Sequence, residues 1–140
     1  MLTHSRAQSL TITLRQLLSL TSGIDADHGG PGTRYRYGPA PYQVFGEVVR
    51  RKLRAEGIGG EKPDPVEDYL KPRILDPIGA TPEFWRYTDG DAHLPSGSRF
   101  TAHEWIKYGE FIRLAGRWGE DRIIPGGILA ECFTGSSAQR

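Results

Sequence analysis

Cysteine occurs once in the 140 residues, at Cys132. A single thiol excludes an internal disulfide and leaves the redox compartment open. No apolar run approaches the roughly 20 residues needed to cross a bilayer. Met1 to Leu10 lacks the apolar stretch of a signal peptide, so the chain as it stands is expected to remain in the cytoplasm. An excess of one charge is also missing: eighteen basic and seventeen acidic side chains leave a net +1. No global field therefore draws nucleic acid or anionic lipid, and neither is expected as a partner. Apolar residues make up only 37% of the chain, and strand-like alternation is nearly absent. The length suits one domain and is too short for two.

What is abundant is glycine and proline, eighteen and ten residues, so short helices separated by long turns are expected. Thr13 to Gln16 forms a capping-box pattern, and Leu14, Leu17 and Leu18 follow at helical spacing, with a stop near Ser22-Gly23. Residues 25–34 read as a flexible loop. A second helix is expected from Pro39 to about Arg54, since proline is tolerated in a first turn. Its apolar face would be Phe45, Val48, Val49 and Leu53. The basic run Arg50-Arg51-Lys52 with Arg54 closes this helix and reads as a solvated end that complements the helix dipole. Asp64, Pro65 and Glu67 form a start signal for a third helix, which Pro72 should kink or end. Residues 81–99 read as a loop with Phe84, Trp85 and Tyr87 as buried anchors. The last long helix runs from Thr101, with a second capping box to Glu104, to about Gly116. Trp105, Tyr108 and Phe111 are its expected core. A short helix from Ile128 to Phe133 would bury Cys132, and residues 1–10 and 135–140 are expected to be flexible.

Catalytic arrangements are conspicuous by absence. Acyl transfer by serine needs a base within hydrogen-bond reach, and the Ser-x-x-Lys solution places it one helical turn on. The chain's lysines are Lys52, Lys62, Lys71 and Lys107, preceded three positions earlier by Val49, Gly59, Asp68 and Glu104. None is serine. No Gly-x-Ser-x-Gly elbow occurs. The histidines at 4, 28, 93 and 103 are too scattered for a zinc site. Asp89, Asp91 and His93 alternate in a way that could hold a cation or simply form a solvated acidic turn, and the rest of a calcium loop is missing. Gly57-Ile58-Gly59-Gly60 follows a helix rather than a strand, so it is no phosphate loop. No metal and no cofactor is expected.

Three segments, in order, resemble one family. Ile12 to Gly23 (ITLRQLLSLTSG) resembles the Ile-Thr-x-Arg-x-Leu-Leu-x-x-Thr-Ser-Gly segment of the serine β-lactamase-related hydrolases. That family takes in class C-like β-lactamases, penicillin-binding DD-peptidases and related esterases. Tyr35 to Gly46 (YRYGPAPYQVFG) resembles the family's tyrosine segment, which opens a helix. Leu94 to Gly109 (LPSGSRFTAHEWIKYG) resembles a third. The resemblance implies a mostly α slice, the helical subdomain of the α/β β-lactamase/transpeptidase-like fold, with the central antiparallel sheet largely missing. It also implies an acyl-serine mechanism on an amide or ester.

By the same resemblance, Tyr37 falls on the tyrosine that helps deprotonate the serine or protonate the leaving group. A phenol ordinarily ionises near 10, so such a role needs cations close by. The family's Ser-x-x-Lys and Lys/His-x-Gly elements have no counterpart here, and Pro39 stands where the family has a polar residue. An Asn amide there can donate to a substrate carbonyl; proline cannot. The expectation is thus a partial β-lactamase-related domain over residues 1–140, inactive alone, with a small-molecule substrate only if other segments complete it. Two alternatives stay open: Tyr37 as a purely structural residue ahead of a helix, and the whole chain as a non-catalytic helical interaction module. Substrate and oligomeric state are not legible.

Overall fold

The computed structural model describes residues 11–24, 30–59 and 65–135. Residues 1–10, residues 136–140 of the predicted flexible tail 135–140, residues 25–29 of the predicted loop 25–34, and the Asp64 cap lie outside them. Helix α1 is a single turn, Leu14–Leu18, and its capping box is complete: Thr13 Oγ1 accepts from the Gln16 N–H at 3.2 Å and Gln16 Oε1 accepts from the Thr13 N–H at 2.9 Å. It stops earlier than expected. Leu20 turns into the left-handed region (φ 58°), and the hydroxyl-bearing Thr21 and Ser22 become buried instead of helical. Thr21 Oγ1 finds a partner in Ser19 Oγ at 2.9 Å, which offsets the cost of burying a hydroxyl.

Helix α2, Ala40–Ala55, begins behind Pro39 as expected. Its inward face is Pro41, Gly46, Arg50 and Leu53, a stripe rotated from the one the apolar spacing predicted. Leu53 is buried, but Phe45 and Val49 are only half-buried and Val48 is exposed. Helix α3, Pro65–Leu70, passes directly into a π-helical turn, Lys71–Leu75, closed by Asp76 N–H to Lys71 O at 2.8 Å. Pro72 accounts for this. It has no N–H for the carbonyl four residues back, and its ring crowds that carbonyl. A wider turn relieves the crowding without ending the helix.

Residues 81–99 are not a plain loop. Strands β1 (Phe84–Trp85), β2 (Tyr87–Thr88), β3 (Asp91–Ala92) and β4 (Ser98–Arg99) form two antiparallel ladders, β1 with β4 and β2 with β3. Asp89 and Gly90, both at positive φ, make the two-residue turn between β2 and β3. Phe84 and Tyr87 are exposed rather than buried anchors; Tyr87 reaches back to hydrogen-bond the Glu67 carboxylate of α3. Trp85 alone is half-buried.

Helix α4, Ala102–Arg113, starts on Thr101, whose hydroxyl accepts from the Glu104 N–H. The Glu104 carboxylate does not return to the cap. It accepts from Thr81 N–H at 2.7 Å and from Lys107 Nζ at 2.8 Å, while Lys107 also donates to Gly79 O. These bonds staple residues 79–81 to α4, and the Lys107 ammonium first, then the Thr81 amide, hold the Glu104 carboxyl below its ordinary range. Under the staple lies the core of Ile78, Ala80 and Phe111, flanked by Ile74, Leu75, Phe100, Trp118, Ile123 and Ile124. Of the three aromatic residues expected in the α4 core only Phe111 is there; Trp105 and Tyr108 are exposed. Beyond α4 a third ladder, β5 (Arg117–Trp118) with β6 (Asp121–Arg122), leads to α5, Gly126–Thr134. Burial on α5 ends at Leu129, so Cys132 is exposed, contrary to expectation. An ion pair between Arg15 and Glu131 links α5 to α1.

Among the described residues the sheet content is three two-residue ladders, and no helix is long and apolar enough to cross a membrane. Gly97 is where the 84–99 segment tolerates least. A Cβ there would stand 2.0 Å from His93 O and 2.8 Å from Trp85 Nε1. Gly97→Ala is expected to lower stability by about 3 kcal/mol, the upper end for overpacking, because backbone has to move. Urea unfolding followed by tryptophan fluorescence checks this.

Candidate active-site segment around Tyr37

The tyrosine segment owes its position to the turn after α1. Gly32 N–H donates to Thr21 O at 2.7 Å and Arg36 N–H donates to Leu20 O at 2.9 Å. Gly32 itself sits at φ 85°, and a Cβ on it would press on Gln16 Nε2 at 3.1 Å. The two motifs ITLRQLLSLTSG and YRYGPAPYQVFG thus form one structural unit. From this brace the chain delivers Tyr37 to the entrance of α2 with 81% of its surface exposed. Space is open beside it, since a Cβ on Gly38 would meet nothing within 4 Å. One turn into α2, the Tyr42 hydroxyl donates to Leu18 O at 3.2 Å. Burial, and after it the phenols of Tyr35 and Tyr37, push the Tyr42 pKa up, so this hydroxyl stays a donor at neutral pH.

What the structure does not bring to Tyr37 is equally informative. Among the described residues no hydrogen bond reaches its hydroxyl. The described lysines are engaged elsewhere: Lys52 with Glu56 at 2.8 Å, Lys71 with Asp76 at 3.1 Å and Lys107 with Glu104 at 2.8 Å. Lys62 lies outside the described residues. Ser22 is buried and Ser19 is bonded to Thr21. No serine–lysine pair forms among these residues. Asp89, Asp91 and His93 do not converge as ligands. Asp91 lies 3.5 Å from Arg50 Nε and 3.7 Å from Arg54 Nη2, while His93 Nδ1 is 3.2 Å from Ser96 Oγ. Among the described residues no group of three His, Cys, Asp or Glu side chains is placed to hold a metal.

The basic run on α2 requires a correction. Arg51, Lys52 and Arg54 are exposed as expected of a solvated helix end, but the Arg50 side chain is only 10% exposed. Its Nε and Nη2 lie 3.2 Å from Glu47 Oε2, and Asp91 stands on its other side. Glu47 is shared with Arg51, whose hydrogen bond, ahead of Arg50's, lowers the carboxyl pKa. Arg50 thereby clamps hairpin β2–β3 onto α2 and walls a groove of about 270 Å³ with Tyr42, Gln43, Asp91, His93 and Leu94. The three- and four-residue spacing of Glu47 to Arg50 and Arg51 was the available signal; that Asp91 would join them was not visible from spacing.

With this geometry established, one solved structure is informative. A protein from Bacteroides dorei DSM 17855, assigned provisionally as a β-lactamase, superposes with a TM-score of 0.65 at 25% identity over 85% of the present chain. The fold is, in part, β-lactamase-like. The chain spans 41% of that protein's length. No protein-family model matches the chain, and no curated protein does. The β-lactamase-like relationship therefore rests on the superposition together with the motif order, and the chain's helices with small antiparallel ladders are compatible with a partial β-lactamase-like fold.

The clamp generates a contrast between neighbours. Arg50→Ala removes the one buried cation of this network, leaving Glu47 to Arg51 and Asp91 to Arg54, and is expected to cost about 1–2 kcal/mol, less than breaking a fully buried pair. Arg51→Ala removes an exposed pair and should cost no more than about 0.5 kcal/mol. Paired chemical denaturation curves read the difference.

Proposed function

We propose that residues 1–140 are one portion of a β-lactamase-related serine hydrolase, carrying the tyrosine of the catalytic site but not its nucleophile. The observation that carries this reading is Tyr37: braced by Leu20 and Thr21 through the backbone and 81% exposed at the start of α2 in a β-lactamase-like fold. In the completed site a serine supplied by other polypeptide attacks an amide or ester carbonyl, forming an acyl-serine and releasing the amine or alcohol. Water then releases the acid. Tyr37 passes the proton between the serine hydroxyl and the leaving group, with its phenolate form favoured by a neighbouring ammonium. The substrate is a small amide or ester, engaged without the amide donor that Pro39 cannot provide.

Exposed apolar side chains favour a second reading of the chain by itself. Leu14, Leu18, Val44, Val48, Ile106, Ile128 and Phe133 all stand in solvent. Surface of this kind suits an interaction module without catalysis. Kinetics separates the two. The chain alone is expected to turn over neither nitrocefin nor a short p-nitrophenyl ester above buffer. Mixed with a polypeptide bearing Ser-x-x-Lys and Lys/His-x-Gly segments, encoded beside it, it should gain turnover that Tyr37→Phe lowers about 100-fold. Complemented turnover indifferent to Tyr37→Phe would remove the tyrosine from the mechanism. No gain in the mixture would favour the interaction module.

A further inference from the structure

We propose that the cavity between the π-helical turn and α4 is a binding site for a small, neutral aromatic molecule. The cavity holds about 270 Å³ and is walled chiefly by Ile74, Leu75, Ile78, Trp85, Phe100 and Trp105. A dry apolar cavity of about 150 Å³ already admits benzene, so this one has room for a substituted ring. Its construction is unusual. Ile74 and Leu75 come from the π-helical turn that Pro72 imposes, and π-helical turns concentrate at functional sites.

The aromatic side selects rings. Phe100 and Trp105 are 5.6 Å apart at 56°, and Trp105 and Tyr108 are 5.5 Å apart at 76°. These are tilted and edge-to-face geometries, the arrangements in which further aromatic contacts are favourable. Trp105 is 53% and Tyr108 43% exposed, so part of this cluster has no cover from the described residues. Charge selects among ring compounds. Glu104 also lines the cavity, whereas the Lys107 that holds it ionised does not. Its oxygens already accept from Thr81 and Lys107. A ligand carboxylate there meets a like charge. No Lys, Arg or His lines the cavity to compensate an anion.

Calorimetric titration of toluene into the 140-residue protein tests the site, with benzoate as the anionic counterpart. The expected result is one saturable site per chain, with benzoate binding at least tenfold more weakly. Ser98→Phe, which fills the cavity from β4, should weaken toluene at least tenfold with an unchanged far-UV circular dichroism spectrum. Leu70→Phe fills it from α3 and is read the same way if Ser98→Phe perturbs the fold. Ile106→Ala, at an exposed α4 position outside the cavity, should bind toluene as the unaltered protein does. No saturable binding up to the solubility of toluene, equal binding of benzoate, or indifference to both filling substitutions would overturn the proposal. So would self-association that either filling substitution abolishes and toluene does not inhibit, which would assign the cavity to a second copy.

Discussion

Two backbone hydrogen bonds, from Gly32 to Thr21 and from Arg36 to Leu20, set the geometry on which the catalytic reading depends. They hold an otherwise exposed stretch, residues 32–37, against the turn that follows a single-turn helix. A helix that short has no stability of its own. Its survival rests on the capping box at Thr13, the burial of Leu17 and the tertiary contact it makes with α2, where Tyr42 closes onto Leu18 O. Remove the turn and both the helix and the presentation of Tyr37 lose their support. The left-handed Leu20 is part of this device, since it redirects the chain so that its carbonyl and that of Thr21 face the tyrosine segment.

The same molecule holds apolar surface in short supply on the inside. Its buried hydrophobic side chains include Leu17, Leu53, Val66, Ile78 and Phe111, while Ile106, Ile128 and Phe133 are each more than half exposed. Polar fastenings supplement this thin core. The Arg50 clamp and the Tyr87–Glu67 hydrogen bond join elements distant in sequence, and the Glu104–Thr81 bond fastens α4 to residues 79–81 beside the Ile78, Ala80 and Phe111 core. Fastenings of this kind set position well but add modest net stability, because each partner gives up water to form them.

Much of this was legible in the sequence because it is local. Thr13 with Gln16, Pro39 ahead of α2 and Thr101 ahead of α4 each declare a helix start through a hydrogen bond or a fixed φ that involves only neighbouring residues. Pro72 declared a disruption, though not that the chain would widen into a π-helical turn. The Asp89-Gly90 pair is a turn signal that reading 81–99 as a loop left unused, and two-residue strands are too short to show alternation. Burial was the least legible property. Arg50 is buried because Asp91, distant in sequence, reaches it, and Trp105 is exposed because nothing among the described residues covers that face of α4. Helical periodicity assigns a face to a side chain but cannot tell whether another element arrives there. For Tyr37, the resemblance supplied the catalytic expectation, and no spacing could have shown its exposure at the entrance of α2.

Intact-mass spectrometry of the 140-residue chain after incubation with a fluorophosphonate shows whether these residues assemble a reactive serine. An unmodified mass is expected, because Lys52, Lys71 and Lys107 are held by the carboxylates of Glu56, Asp76 and Glu104 rather than set beside a serine. A stoichiometric adduct mapped to a serine of this chain would contradict it, showing that a competent nucleophile is assembled within these residues.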